Sequence, residues 1–208
     1  MRLPAWEVCR LKRAARHARV GARRSPAVKP VAGAQSVFLV GFMGAGKTSV
    51  GEALAARLGW RFIDLDGQIE ARQQRKISNI FRDSGENEFR RLESVELQQV
   101  LAEVERKAAV VALGGGTFVY PANSHSLRNC GYTVFLDASV EQLWQRAQAQ
   151  GARPLAVSEN HFRQLYAARR SRYMEADCCV QTGGRSVAEV VAEIAARLPW
   201  ATGKGEAQ

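Results

Sequence analysis

The sequence lacks any apolar run near the roughly 20 residues that a membrane-spanning helix requires, so we expect a soluble protein with no membrane partner. It is also poor in cysteine, with four among 208 residues, and none are spaced as Cys-x-x-Cys. The three histidines and four cysteines do not form the paired spacings of a zinc site, so no zinc site is indicated. Adjacent Cys178 and Cys179 are predicted to be buried thiols in a reducing compartment.

Acidic residues are scarce at the start of the chain, where residues 1–33 hold nine arginines and lysines but only Glu7. This segment carries +8 of the formal net charge of +10, so the remainder carries +2 and no nucleic-acid surface is expected on the folded part. We predict a disordered extension over 1–33, one domain over 34–199 and a flexible tail over 200–208. Alternatively, the extension is a plastid transit peptide or a weak polyanion-binding arm.

Short apolar segments alternate with helical segments from residue 36 onward. Strands are predicted near 36–41, 61–64, 108–113, 132–137 and 178–181. Helices are predicted at 47–58, within 66–104, and at 122–130, 139–149, 159–173 and 186–198. Apolar strands separated by helices predict an α/β fold, a three-layer α/β/α arrangement around a five-stranded parallel sheet. Ligands of such sheets bind at the carboxyl ends of the strands.

The first predicted strand leads into GFMGAGKT, residues 41–48, which has the G-x-x-x-x-G-K-[ST] spacing of a P-loop. Backbone N–H groups of such a loop bind phosphate at a helix N-terminus, the lysine reaches the β- and γ-phosphates, and the hydroxyl binds Mg²⁺. The motif predicts ATP with Mg²⁺, and less favourably GTP. The predicted nucleotide-binding residues here are Gly44, Ala45, Gly46, Lys47, Thr48 and Ser49.

The next two strands also end in residues suited to binding. Asp64 and Asp66 close the second strand, and continued extended geometry would turn both to one side, one toward metal-bound water and one toward the phosphate acceptor. The alternative is that Asp66 caps a helix beginning at Gly67. The third strand ends in Gly114-Gly115-Gly116, where the backbone can approach a substrate closely, although a plain turn has the same composition.

Arginines supply the remaining candidates. Arg90 and Glu93 are three residues apart on a predicted helix, and a guanidinium held by a carboxylate is well prepared to bind a substrate carboxylate. Arg153 lies on a predicted loop that could close over a γ-phosphate and neutralise charge during transfer. Solvated surface charge is the alternative for each arginine taken alone.

Together the motifs GFMGAGKT, FIDLD, GENEFRR-x-E, LGGG, ARPL and R-x-x-x-Y resemble shikimate kinase, over about residues 36–198. The resemblance implies transfer of the γ-phosphoryl group of ATP to the 3-hydroxyl of shikimate by a P-loop kinase. It also implies a substrate-binding region at about 65–93, a lid at about 148–160, a monomer and a cytoplasmic location.

The resemblance also implies a role for each matching residue. The implied catalytic residues are Lys47, Asp66 and Arg153, and the implied shikimate-binding residues are Asp66, Arg90, Gly115, Gly116 and Arg169. Glu93 would position Arg90, while Thr48 would bind Mg²⁺ and Asp64 would reach it through water. Arg146 and Arg185 would lie against adenine. Ser171 stands where the family often has proline, which leaves Arg170 as an alternative to Arg169.

Two other functions remain open from the sequence. A related small-molecule kinase, such as a gluconate kinase, would share the P-loop and the sheet. A weakly catalytic P-loop protein whose basic arm binds nucleic acid is the alternative from a different class.

Overall fold

A computed structural model of the chain describes residues 36–149 and 158–200. The predicted extension lies outside this part, as do residues 201–208 and most of the predicted lid with Arg153. The strands are β1 (Ser36–Val40), β2 (Arg61–Asp64), β3 (Ala109–Ala112), β4 (Gly131–Asp137) and β5 (Cys178–Gln181). The helices are α1 (Lys47–Leu58), α2 (Leu65–Gln73), α3 (Ile77–Val104), α4 (Pro121–Cys130), α5 (Val140–Ala149), α6 (Glu159–Tyr173) and α7 (Val187–Arg197), with a 3₁₀ turn at Thr117–Val119.

The five strands form one parallel sheet in the order β2-β3-β1-β4-β5. β1 is the central strand and all five of its residues are buried, because helices cover both faces of the sheet. The chain passes from β3 on one side of β1 to β4 on the other, which makes the carboxyl end of β1 the switch point where α/β sheets bind ligands. The predicted α/β fold with a five-stranded parallel sheet is therefore confirmed.

The β2–α2 junction differs from both sequence interpretations of Asp66. Asp64 is the N-cap of α2, with its Oδ1 accepting from the Gly67 N–H at 3.2 Å, so the helix begins at Leu65. The extended geometry ends at Asp64, and Asp66 lies in the first helical turn. The alternative in which Asp66 caps a helix beginning at Gly67 is therefore wrong, because Asp64 already provides the capping oxygen.

Two further features shape the region around the site. Helix α3 is kinked at Gly85, whose φ of 78° is left-handed, so the GENEFRR segment begins a new helical run. Cys178 and Cys179 are buried, as predicted, and neither forms a disulfide within the part of the chain that the structure describes. Among the helices described, none is both long and apolar enough to cross a membrane.

Candidate active site

A cavity of about 280 Å³ opens at the carboxyl ends of the strands, beside the P-loop. All six residues predicted for the P-loop end of the nucleotide site line it, together with both aspartates of the FIDLD motif. The lining residues include Gly44, Ala45, Gly46, Lys47, Thr48, Ser49, Asp64 and Asp66. The topology brings these segments together, since β1 and β2 end at the same edge of the sheet.

The P-loop backbone has the left-handed turns that glycine permits. Gly44 has φ of 78° and Gly46 has φ of 86°. A Cβ on Gly44 would also lie 2.6 Å from the backbone oxygen of Leu143. Both the left-handed backbone and the lack of space therefore disfavour a side chain at this position. Lys47 donates from Nζ to the backbone oxygens of Gly41 at 2.9 Å and Phe42 at 3.0 Å. The ammonium group is thus held over the loop, beside the cavity that its residue lines.

Thr48 and Asp64 meet at the floor of this cavity. The Thr48 hydroxyl donates to Asp64 Oδ2 at 2.9 Å, while Asp64 Oδ1 caps α2. These two oxygen-bearing side chains are a hard donor pair of the kind Mg²⁺ accepts alongside phosphate oxygens and water. Within residues 36–149 and 158–200, three or more His, Cys, Asp or Glu side chains are nowhere gathered as a metal site.

A second cavity, of about 60 Å³, adjoins the glycine-rich end of β3. Its charged lining consists of Asp66, Arg90, Glu93 and Arg169, and its apolar lining of Met43, Ile77, Phe81 and Phe89; Gly114, Gly115 and Gly116 complete it. Asp66 lines both this cavity and the P-loop cavity, so its carboxylate stands where the two meet. All five residues predicted to bind shikimate lie here.

Arg90 is held in a network of carboxylates on α3. Its Nη1 lies 2.8 Å from Glu93 Oε2, and its Nε and Nη2 donate to Glu86 Oε1 at 3.2 and 3.0 Å. Burial disfavours the charged guanidinium, but the attraction and hydrogen bond of Glu93 outweigh it, so the pKa of Arg90 is raised. The Glu93 side chain is 1% exposed and that of Arg90 is 12% exposed. The contact predicted from the i, i+3 spacing is therefore present, and it is buried.

Thr117 is a member of this network that the sequence interpretation missed. It is fully buried, and its hydroxyl donates to Glu93 Oε1 at 2.6 Å, so Glu93 is bound by Thr117 on one oxygen and by Arg90 on the other. Its position directly after the three glycines was the available signal. Tyr120 lies nearby, with its ring 5.6 Å from Arg90 Cζ.

Replacing Thr117 by valine keeps the side-chain shape and removes the donor to a buried carboxylate. We expect Thr117→Val to lower the free energy of unfolding by about 1.5–3 kcal/mol, measured by urea denaturation. Thr117→Ser is the matched control, since it keeps the hydroxyl and removes only a methyl group, which costs about 1 kcal/mol. Valine buries more apolar surface than serine, so a serine variant that is less stable than the valine variant would contradict a structural role for the hydrogen bond.

The glycines after β3 allow side chains to approach the backbone closely. A Cβ on Gly114 would lie 2.7 Å from both Asp66 Oδ1 and Glu93 Oε1, and a Cβ on Gly116 would lie 2.7 Å from Arg90 Cζ. At these two positions a larger residue would displace the charged ends of Asp66, Glu93 or Arg90, so glycine allows the close approach that the sequence predicted. The plain-turn alternative does not account for these contacts.

The two adjacent arginines of α6 point to different partners. Arg169 lines the second cavity, with Nη1 3.5 Å from the backbone oxygen of Gly115, which also accepts from the Tyr173 hydroxyl. Burial raises the pKa of Tyr173, so its hydroxyl stays a donor. Arg170 instead binds Asp137 through Nη2 at 2.7 Å. The geometry therefore favours Arg169 over Arg170 as the arginine facing a bound substrate.

The two arginines predicted to lie against adenine are on the side of β5. Arg146 donates to the hydroxyl and the backbone oxygen of Thr182, at 3.3 and 3.1 Å. Arg185 donates to the backbone oxygens of Gln181 and Glu189 and pairs with Glu193. The described residues bring Arg146 close to the P-loop, since its Cβ lies 3.4 Å from a Cβ built on Gly44. The adenine contacts of Arg146 and Arg185 both stay predictions.

Comparison with known proteins agrees with the order of these motifs. The family model described as shikimate kinase matches residues 43–199. This chain belongs to the shikimate kinase family. Relatives in this family include the shikimate kinase of Persephonella marina, 36% identical over 79% of this chain and 99% of its own length. The shikimate kinase of Geobacter sulfurreducens is 43% identical over 77% of this chain and 89% of its own length.

Solved structures extend the shikimate kinase likeness to the fold. The shikimate kinase from Acinetobacter baumannii, solved in complex with shikimate, superposes with a TM-score of 0.73 at 36% identity, over 77% of this chain and 90% of that one. A gluconokinase from Sinorhizobium meliloti superposes with a TM-score of 0.51 at 20% identity. At that identity the gluconokinase shares the fold alone with this member of the shikimate kinase family.

Proposed function

We propose that the chain transfers the γ-phosphoryl group of ATP to the 3-hydroxyl of shikimate, giving shikimate 3-phosphate and ADP. One observation carries the proposal: Asp66 lines both the P-loop cavity and the cavity that holds Arg90 and Arg169. A polyol bound between these arginines thus presents a hydroxyl to a carboxylate that also borders the phosphate site. Family membership supplies the donor, ATP, and points to shikimate as the acceptor.

The second cavity has the groups that shikimate requires. Arg90 and Arg169 bind its carboxylate, since guanidinium groups bind carboxylates through paired hydrogen bonds. Asp66 accepts from a ring hydroxyl, and Gly115 and Gly116 line the same space. The apolar side chains of Phe81 and Phe89, 4.7 Å apart between ring centroids, border the carbon skeleton.

Phosphoryl transfer between the cavities needs few groups. The 3-hydroxyl oxygen attacks the γ-phosphorus, the bond from that phosphorus to the β,γ-bridging oxygen breaks, and ADP leaves. Asp66 orients the hydroxyl and takes up its proton. Lys47 and the P-loop N–H groups neutralise the charge that spreads over the phosphate oxygens.

Mg²⁺ fits the donors at the floor of the nucleotide cavity. Thr48 would hold it directly and Asp64 through water, beside the phosphates of the nucleotide. A magnesium ion of this kind needs only one or two protein groups, so the pair Thr48 and Asp64 is a sufficient set. When bound, the ion would offset the negative charge of the phosphates.

The remaining assignments belong to the same proposal. Arg153, in the lid at about 148–160, neutralises charge on the transferring group, and Arg146 and Arg185 bind adenine. The substrate-binding region spans about 65–93 within a domain of residues 34–199, which the family match over 43–199 supports. The proposal includes a monomer and a cytoplasmic location, and the bacterial origin of the similar curated proteins favours the cytoplasm over a plastid. The predicted extension over 1–33, which we propose has no part in the reaction, and residues 201–208 of the predicted tail lie outside the described residues. The predicted tail does not begin at residue 200, because Trp200 packs on Trp60 with ring centroids 6.1 Å apart.

The test is ADP release by the purified chain with Mg·ATP and one acceptor at a time: shikimate, quinate, gluconate or none. We expect turnover with shikimate to exceed turnover with the other acceptors by at least about tenfold, because quinate carries an extra hydroxyl on a saturated ring and gluconate is an open chain. Product should be confirmed by phosphorus NMR. Turnover with gluconate at a rate equal to shikimate would contradict the assignment of the acceptor while leaving the P-loop role intact.

A further inference from the structure

Helix α6 carries two rows of polar side chains that point to different parts of the molecule. Residues four apart lie on one helix face, and Arg169 and Tyr173 form one such row, facing Gly115 and the second cavity. Tyr166 and Arg170 form the other row, facing the end of β4. The orientation of α6 about its own axis therefore sets the positions of both rows of side chains.

The second row ends on Asp137, a buried carboxylate with no part in the reaction described above. Asp137 is 3% exposed. Its Oδ1 accepts from the Tyr166 hydroxyl at 3.0 Å, and its Oδ2 accepts from Arg170 Nη2 at 2.7 Å and Gln181 Nε2 at 3.2 Å. Arg170 Nε also donates to the Tyr166 oxygen at 3.1 Å, which closes the network. Burial and the Asp137 charge raise the pKa of Tyr166 to about 12, so the phenol remains a donor at neutral pH.

The same face of α6 packs on the P-loop. The ring of Phe42 lies 4.8 Å from that of Phe162 and 5.5 Å from that of Tyr166, measured between centroids. Phe42 is also a residue whose backbone oxygen accepts from Lys47. The helix is thus attached to the strand end by ion pairing and to the phosphate-binding loop by aromatic contact.

By contrast, the contact that holds the substrate-facing arginine is long. Arg169 Nη1 lies 3.5 Å from the Gly115 oxygen, near the limit of a hydrogen bond. A substrate-binding guanidinium gains affinity when it is held in place before the substrate arrives. Its orientation therefore depends on its hydrogen bond with the Tyr173 hydroxyl and on the helix backbone that carries both residues.

We propose that Asp137, Arg170 and Tyr166 form an anchor that positions Arg169 for the acceptor. Asp137 is a positioning residue here, since it acts on the substrate through α6 and touches neither reactant. The inference rests on the proposed function, because the effect is measured on the acceptor that Arg169 binds. In this ion pair Asp137 is buried while the Arg170 side chain is 40% exposed, and such a pair can fix one geometry while adding little stability.

The test is a double-mutant cycle that combines Arg170→Met, in the anchor, with Arg169→Met. We expect Arg170→Met to lower kcat/KM for shikimate about tenfold, through KM rather than kcat, and to leave KM for ATP within about twofold. In an Arg169→Met background the same substitution should change kcat/KM for shikimate less than about twofold, since its target is gone. Arg172→Met is the matched control: Arg172 is also on α6 but pairs with Glu175 at 3.3 Å and is exposed.

Two further variants keep the test sharp if Arg170→Met folds poorly. Tyr166→Phe removes only the hydroxyl donor to Asp137 and should show the same dependence on Arg169 at a smaller size. Arg170→Lys keeps a charge for Asp137 and should recover part of the lost kcat/KM. Lysine and methionine at position 170 are both long and flexible side chains. Recovery in the lysine variant alone would therefore come from its charge pairing with Asp137 and not from packing of the helix.

The outcomes distinguish a failure of the proposed function from a failure of the anchor alone. If the unmodified chain fails to turn over shikimate, the proposed function is wrong and the anchor with it. If it does turn over shikimate, but Arg170→Met and Arg169→Met multiply their effects in the double variant, the anchor alone is wrong. An Arg170→Met effect matched by Arg172→Met would also overturn it.

Discussion

Asp66→Asn is expected to lower kcat for shikimate phosphorylation by roughly 10²–10⁴-fold, the usual contribution of a positioned general base. The substitution keeps the size of the side chain and removes the charge that orients the hydroxyl and accepts its proton. Asp66 borders both cavities, so no other carboxylate among those described can take its place without moving. The measurement is steady-state ADP release at saturating ATP and shikimate.

The matched control is Glu70→Gln, a second change from carboxylate to amide on the wall of the same nucleotide cavity. Glu70 pairs with Lys76 at 2.8 Å and accepts from the Ile77 N–H at 3.0 Å, so its role is to join α2 to α3. We expect its kcat to fall less than threefold or so, since it is not placed against the acceptor. Equal losses in the two variants would assign the effect to the charge of the cavity and not to Asp66 as a base.

Most of the fold could be predicted from the sequence because parallel buried strands are nearly continuous apolar runs. β1 and β4 were predicted to within one residue, and the P-loop motif identified β1 as the strand that leads into the phosphate-binding loop. The first turn of α2 was not predictable in the same way. Asp64 and Asp66 are both favoured helix caps, and only the three-dimensional path decides that Asp64 binds the Gly67 N–H.

The site was predictable where its residues are neighbours in sequence or belong to an ordered motif. Arg90 and Glu93 are one such pair, and the ordered motifs placed Asp66 and Arg169 at the same cavity. Bonds between distant segments left no pattern in one sequence: Thr117 meets Glu93 across 24 positions, and Arg170 meets Asp137 across 33. Such contacts depend on how the helices pack on the sheet, which no local propensity encodes.

Removal of the Lys47 ammonium group is expected to cause the second large loss of kcat. It lies on the backbone oxygens of Gly41 and Phe42, and in the reaction it must turn its charge toward the β- and γ-phosphates. Lys47→Met keeps much of the side-chain length and removes the charge. We expect kcat to fall by roughly 10²–10³-fold, as for the loss of one preorganised donor to a transition-state oxygen. The measurement is ADP release with saturating shikimate and varied ATP.

The control is Lys107→Met. Lys107 is an exposed lysine just before β3, at the amino ends of the strands and so at the opposite end of the sheet from the site. Its kcat and its KM for ATP should match those of the unmodified chain, which separates the P-loop lysine from a general loss of positive charge. Lys47→Met should also unfold at nearly the same urea concentration as the unmodified chain, because its hydrogen bonds are partly exposed. If kcat falls only in proportion to a loss of stability, Lys47 supports the loop and has no direct part in phosphoryl transfer.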